Sequence, residues 1–181
     1  MAKDKLETRR VYLRALTDND ASPLYAEVTA SRDLLKRRLR WVGGVQSEQE
    51  CRVFIEACEK DATVKVWGIF EHKEDRLVGV AAFQGMGDDK RAQAEIGFWI
   101  AVDRQDKGLG SEVGRVMIDY AFRKLNRHRL QARIDPANRS FRKVLKKIGF
   151  RYEGCLRCDQ RLNGRWIDQE CWGMLKSEWK K

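Results

Sequence analysis

The run Asp103-Arg104-Gln105-Asp106-Lys107-Gly108-Leu109-Gly110-Ser111 combines glycines, a hydroxyl and cations in an order suited to phosphate chemistry. An apolar strand pattern precedes it, and Val113, Val116, Met117, Tyr120 and Ala121 follow at helical spacing. A strand, a glycine loop and a helix in that order leave backbone N–H groups unpaired at the positive end of a helix dipole, where an anion binds. Gly108 and Gly110 lack a Cβ, so a diphosphate can approach the main chain, while Ser111 adds a donor and Lys107 and Arg104 add charge. Two known loops are excluded. No Gly-Lys-Ser/Thr closes the run, and Val113 stands where a dinucleotide fingerprint needs its third glycine. The bland alternative is a tight strand-to-helix turn.

Other reactive side chains offer less. Cys155 and Cys158 form a lone C-x-x-C with only Cys171 after it and no histidine nearby, so strand residues are expected and no metal is assigned. His72 and His128 have no metal-ligand company and read as surface histidines. Trp41, Trp67, Trp99 and Trp172 could line a groove, although core packing is the commoner use of such residues.

The elements that must hold the glycine loop are legible from period. Arg10 to Ala15 alternates as a strand; Thr17 and Asp20 give a weak cap, and Ser47 with Glu50 a capping box ahead of Cys51, Phe54, Ile55 and Cys58. Lys36, Arg37, Arg38 and Arg40 surround Leu34, Leu35 and Leu39, a pattern expected of a solvated helical face rather than a partner-binding patch. Val64 to Glu71 and Leu77 to Phe83 read as a hairpin, the loop from 85 to 91 follows, and a strand runs from Ala92 to Val102 with Gly97 marking a bulge or a close backbone approach. Arg129 to Asp135 is another strand, Pro136 opens a helix ending at Gly149, and Asn163-Gly164 turns the final hairpin.

Composition bounds the whole. The 181 residues carry 37 Lys+Arg and 27 Asp+Glu, a formal net charge of +10, with 43% apolar residues. With 2 Pro and 7 Phe, 4 Tyr and 6 Trp spread along the chain, disorder and low-complexity classes fail, and one α/β domain over 1–181 is expected. The charged amino terminus lacks a signal-peptide pattern and no run approaches the roughly 20 apolar residues of a membrane helix, so a cytoplasmic protein with reduced thiols and no membrane partner is expected. The positive charge suits nucleic acid, an anionic ligand or neither.

Gln105-x-x-Gly108-x-Gly110 after a strand resembles the acetyl-CoA diphosphate loop of the GNAT superfamily of N-acetyltransferases. Asp135-Pro136-Ala137-Asn138, a helix, then Lys147-Ile148-Gly149-Phe150 is similar to that superfamily's second motif. Val11-Tyr12-Leu13-Arg14-Ala15-Leu16, Ala94-Glu95-Ile96-Gly97-Phe98-Trp99-Ile100, Asn163-Gly164-Arg165-Trp166-Ile167-Asp168 and Leu175-x-x-Glu178-Trp179 resemble the ribosomal-protein N-acetyltransferase branch, so the likeness runs from about residue 9 to 179. It implies a splayed, mixed, mostly antiparallel seven-stranded sheet flanked by about four helices. Acetyl-CoA would lie with its pantetheine on the strand backbone at Phe98, Ile100 and Val102, its diphosphate on Gln105, Asp106, Lys107, Gly108, Leu109, Gly110 and Ser111, and its sulfur end near Asn138. An Asx turn or helix cap competes for Asn138.

Transfer of an acetyl group from a thioester to an amine needs a neutral nucleophile and a polarised carbonyl. Neutralising an α-amine at pH 7 costs about 1.4 kcal/mol against about 4.6 for lysine, so a modest base suffices for an N-terminus. Glu95, beside the implied acyl site, is the candidate base, with a plain salt-bridged role as its alternative. Phe141 and Leu145 occupy the positions where relatives carry a serine or tyrosine acid, and Ser140 is one residue out of register. The expected acceptor is a protein N-terminus, ribosomal proteins included. A polyamine or aminoglycoside is the second choice, and a non-catalytic acyl-CoA or RNA-contacting module the third. Ribosome association is open, and so is the oligomeric state, a homodimer included.

Overall fold

The structure is a computed structural model describing residues 4–87 and 90–179, with the backbone alone at Arg40; the middle of the 85–91 loop lies outside it. Period-two segments form eight strands: β1 (Leu6–Glu7), β2 (Val11–Arg14), β3 (Lys65–Glu71), β4 (Leu77–Gln84), β5 (Gln93–Ile100), β6 (Arg129–Ile134), β7 (Arg151–Leu162) and β8 (Arg165–Leu175). The helices are α1 (Ala21–Ala30), α2 (Arg32–Leu35), α3 (Glu48–Lys60), α4 (Leu109–Arg123) and α5 (Arg139–Ile148). The sheet order is β1-β2-β3-β4-β5-β6-β8-β7, antiparallel throughout except at β5–β6. The seven strands implied by the family are β2 to β8. β1 adds two residues through Leu6–Leu13 and Glu7–Tyr12 pairing, and α2 is a single extra turn.

Local chemistry explains most boundaries. Glu50 Oε2 accepts the Ser47 N–H at 2.6 Å and starts α3, while Asp20 Oδ2 accepts the Thr17 N–H at 2.7 Å ahead of α1. Asn163 and Gly164 have φ of 49° and 79°, the left-handed pair that a type I′ turn needs between β7 and β8. Gly149 at φ 99° stops α5. That helix begins at Arg139 rather than at Pro136, because Asn138 is its cap.

Helices cover both faces. Ile96, Val113, Met117, Leu130 and Leu145 pack under α4 and α5, and Leu24, Val28, Ile55, Phe70 and Trp99 under α1 and α3. Each fully buried aliphatic side chain contributes about 1.5–3 kcal/mol relative to exposure. Among the described residues no helix is long and apolar enough to cross a membrane.

The fold departs from the sequence expectations at Gly97, at Val102 and in the basic segment after Ser31. No bulge or close backbone approach exists at Gly97: β4–β5 pairing runs unbroken from Gly79–Ile100 to Gln84–Glu95, and a Cβ at Gly97 would meet nothing within 4 Å. What frees the β5 edge is divergence, since β6 pairs with β5 only from Gln93–Arg129 to Glu95–Gln131 and then leans away onto β8. β5 also stops at Ile100; Val102 begins a 3-10 turn to Arg104, and its side chain is exposed. The basic segment after Ser31 is solvated at Lys36 and Arg37 but is not a helical face: α2 ends at Leu35 after one turn, and Leu34, Leu35, Arg38 and Leu39 line a cleft.

Candidate active site

Where β5 and β6 part, a cleft of about 990 Å³ opens through the molecule. Its floor is β5 from Glu95 to Ile100, one end is the glycine loop beside Val144 and Lys147 of α5, and the other end is framed by Trp41, Arg38, Arg133 and Asp159.

The glycine loop is built from the end of β5. Gln105 Nε2 donates to the Ile100 carbonyl at 2.9 Å, tying the loop to the strand it leaves. Asp106 and Gly108 have φ of 57° and 79°, and Gly108 caps α4. These turns gather successive N–H groups into a concavity. The N–H groups of residues 106–111 find no acceptor among the described residues, so the cradle is chemically unsatisfied and fits a diphosphate. A Cβ at Gly110 would meet Phe98 at 3.4 Å and Val144 at 3.5 Å, ordinary contacts, so the protein's own packing does not demand glycine there. Leu109 and Ser111 are buried under the turn.

Two cations differ from expectation. Arg104 is held by Glu71 at 2.9 Å and Asp103 at 2.7 Å, which neutralises it on the rim. Lys107 points away from the cleft: its Nζ donates to the Asp103 carbonyl at 3.0 Å, and its own carbonyl accepts from Arg10 at 2.7 Å.

The β5 edge follows from strand alternation. The Ala101 N–H donates to Val78 of β4 at 2.7 Å, so the N–H groups of Phe98 and Ile100 face the opposite side, where β6 has gone. The Ile100 carbonyl is taken by Gln105, leaving its N–H for a ligand. Val102 lies outside the cleft lining, and its N–H is spent on Ser31 Oγ at 3.2 Å.

Glu95 sits at the last paired position before the fork, on the same β5 face as Gly97 and Trp99. Gln131 donates to its Oε2 at 3.3 Å, and Arg133 stands 3.7 Å away while also reaching Asp159 at 3.6 Å. Burial pushes the Glu95 carboxyl above its ordinary range; Arg133 and Gln131 oppose that, and Asp159 adds to it. Asn138 Oδ1 accepts the Phe141 N–H at 3.2 Å and the Ser140 hydroxyl at 3.1 Å, which establishes the cap, and the residue also lines the cleft. Phe141 packs edge-on against Phe98 with centroids 4.9 Å apart, and Leu145 is fully buried. Neither offers a proton.

The structure thus brings Glu95, Phe98, Ile100, Gln105, Asp106, Gly108, Leu109, Gly110, Ser111 and Asn138 onto one cleft and leaves Val102 and Lys107 off it. Trp41 and Trp99 line it, whereas Trp67 and Trp172 are core. None of the five cysteines lines it; burial raises the thiols of Cys51 and Cys58 to about 11, and Cys155 and Cys158 are exposed on β7. His72 and His128 are exposed. Sequence reading misses Arg133 and Asp159. Period two in β6, with Leu130, Ala132 and Ile134 inward, would have placed Arg133 on the cleft face. Asp159 carries no such signal, because β7 loses register between Leu156 and Gln160.

A family model described as an acetyltransferase (GNAT) domain matches residues 10–151. The ribosomal-protein-serine acetyltransferase of Escherichia coli (strain K12) is 30% identical over 161 residues, covering 86% of this chain and 87% of that protein. The probable N-acetyltransferase YjcK of Bacillus subtilis (strain 168) is 29% identical over 178 residues, covering 96% and 98%. Mycobacterium smegmatis RimJ in complex with CoA-disulfide superposes with a TM-score of 0.92 over 99% of this chain and 91% of that one, at 21% identity, a likeness of fold.

Proposed function

The chain belongs to the GNAT acetyltransferases, N-acetyltransferases that use acetyl-CoA as co-substrate, and we propose that its acceptor is the N-terminal α-amine of a protein. The observation that carries this reading is the charge at the acceptor end of the cleft. Glu95, Asp135 and Asp159 face Arg38 and Arg133 there. Such a mouth suits an amine with one positive charge and lacks the acidic excess that a polyamine needs. The E. coli ribosomal-protein-serine acetyltransferase supports a ribosomal protein as acceptor, which would place the reaction in the cytoplasm.

Acetyl-CoA supplies the acetyl group as an activated thioester. The N–H groups of residues 106–111 hold the diphosphate, the open edge at Phe98 and Ile100 orients the pantetheine arm, and the Asn138 amide faces its sulfur end. Holding both reactants in line is worth about 7–11 kcal/mol of barrier. The Ile100 N–H donates to the thioester oxygen as charge builds there. Glu95, five residues along β5 from Ile100, takes through intervening water the proton that the α-ammonium must lose, and a carboxyl raised by burial is a better base for that task than an ordinary one. A thiol of pKa about 8.5 departs largely as thiolate, so the apolar residues Phe141 and Leu145 slow the reaction without blocking it.

The test is a mass-spectrometric screen with acetyl-CoA against peptides with free N-termini, the same peptides with blocked N-termini and an internal lysine, and spermidine. An acetyl-sized mass increase on the free α-amine alone is expected. Turnover of spermidine with none on any peptide would reverse the assignment to a small-molecule amine.

A further inference from the structure

Beside the glycine loop lies a second, shallower hollow of about 660 Å³ that the reaction above does not use. The β1–β2 turn, Lys107 and one flank of α4 form its wall, and Lys147 from α5 closes it. Five cations reach it: Arg9, Arg10, Lys107, Arg115 and Lys147. Its one carboxylate, Glu112, is already engaged. Glu112 pairs with Arg10 Nε at 2.7 Å, accepts the Arg10 N–H at 2.8 Å and takes the Thr8 hydroxyl at 2.7 Å.

The other four cations have no carboxylate partner among the described residues. Lys107 donates only to the Asp103 carbonyl, and Arg115 reaches only the Lys147 carbonyl at 3.5 Å. Like charges gathered around a hollow repel one another and favour an anion between them. Position narrows the choice of anion. Gly108, Ser111 and Lys147 line both this hollow and the cleft, so its occupant is continuous with whatever rests on the glycine loop. In coenzyme A a single ribose separates the diphosphate from a 3′-phosphate monoester, and such a monoester carries about −1.5 to −2 charge at pH 7.

We propose that this hollow binds the 3′-phosphate of coenzyme A, with Arg9, Arg115, Lys107 and Lys147 as its counter-charges, so that the enzyme selects coenzyme A over 3′-dephospho-coenzyme A. The proposal rests on the diphosphate lying on residues 106–111. It is tested by calorimetric titration of the full chain with each coenzyme at low and moderate salt, in the wild type and in an Arg9→Ala, Arg115→Ala double variant. Both substituted side chains are exposed and lie outside the cleft, so folding is retained.

The wild type should bind coenzyme A about tenfold or more tightly than the dephospho form, a preference that shrinks as salt rises. In the double variant that preference should fall to about threefold or less, with dephospho-coenzyme A bound as before. Arg115→Lys should keep most of it, since a monoester can be neutralised by a point charge. Equal wild-type affinities would overturn the proposal while leaving the diphosphate loop intact. An equal loss for both coenzymes in the double variant would also overturn it, by assigning these side chains to the diphosphate. Failure to bind either coenzyme would remove the loop assignment and this inference together.

Discussion

Glu95, the proposed base, carries the sharpest test at the residue scale. Glu95→Gln should lower kcat about 100-fold with little change in the KM for acetyl-CoA, and should abolish the acid limb of the wild-type pH–rate profile; an unaltered kcat removes Glu95 from the reaction. The same residue has a stability signature. Its folded pKa is raised, so the native state holds the proton longer than the unfolded chain, and stability is lost as pH rises from the ordinary carboxylate range through the raised value. Glu95→Gln should therefore melt higher than wild type at pH 7 and show no such gain at pH 4, measured by thermal unfolding. Asn138 separates two roles that sequence alone left competing. Asn138→Ala should cost about 1 kcal/mol through the lost cap, whereas Asn138→Ser keeps a cap oxygen without the amide donor. If the amide serves the cleft, the serine variant recovers stability but not turnover; recovery of both would leave only the cap.

The glycine loop shows how an element turns sequence spacing into a row of unpaired backbone N–H groups. Gly108 must be left-handed at φ 79°, so Gly108→Val should destabilise the fold by about 1–2 kcal/mol. Gly110 is under no such constraint, and its Cβ would rest against Phe98 and Val144 at ordinary distances. Gly110→Ala should therefore leave the melting temperature within a few degrees of wild type, and Gly110→Val should weaken acetyl-CoA at least about tenfold by bringing side-chain bulk to the loop. Unchanged affinity in a calorimetric titration would move the diphosphate elsewhere. The order of strand, loop and helix was readable because each signal spans only a few residues. The state of β5 was not, since Gly97 suggested a bulge where the edge is opened by β6 leaving for β8.

Across the whole molecule, acid stability should follow carboxylates held below their ordinary range. Burial alone would raise Asp20 and Glu112, but Arg14 with Thr17 and Arg10 with Thr8 outweigh it. Such groups add stability above the unfolded carboxylate pKa of about 4, and that stability is lost as pH falls through the lower folded values. Unfolding followed by circular dichroism should set in below about pH 4, and Arg14→Met should move it to higher pH; an unshifted midpoint would show the pair to be inert. The amino-acid sequence by itself determined the periodic elements, the capping boxes, the Asn163-Gly164 turn and the strand–glycine loop–helix order, all of which depend on residues within a few positions of one another. Tertiary structure alone decided that Arg104 is neutralised by Glu71, that Lys107 and Val102 leave the cleft, and that Arg133 stands between Glu95 and Asp159. Those outcomes join strands far apart in the chain. They depend on which strands become neighbours and where two of them part, and local spacing does not encode either.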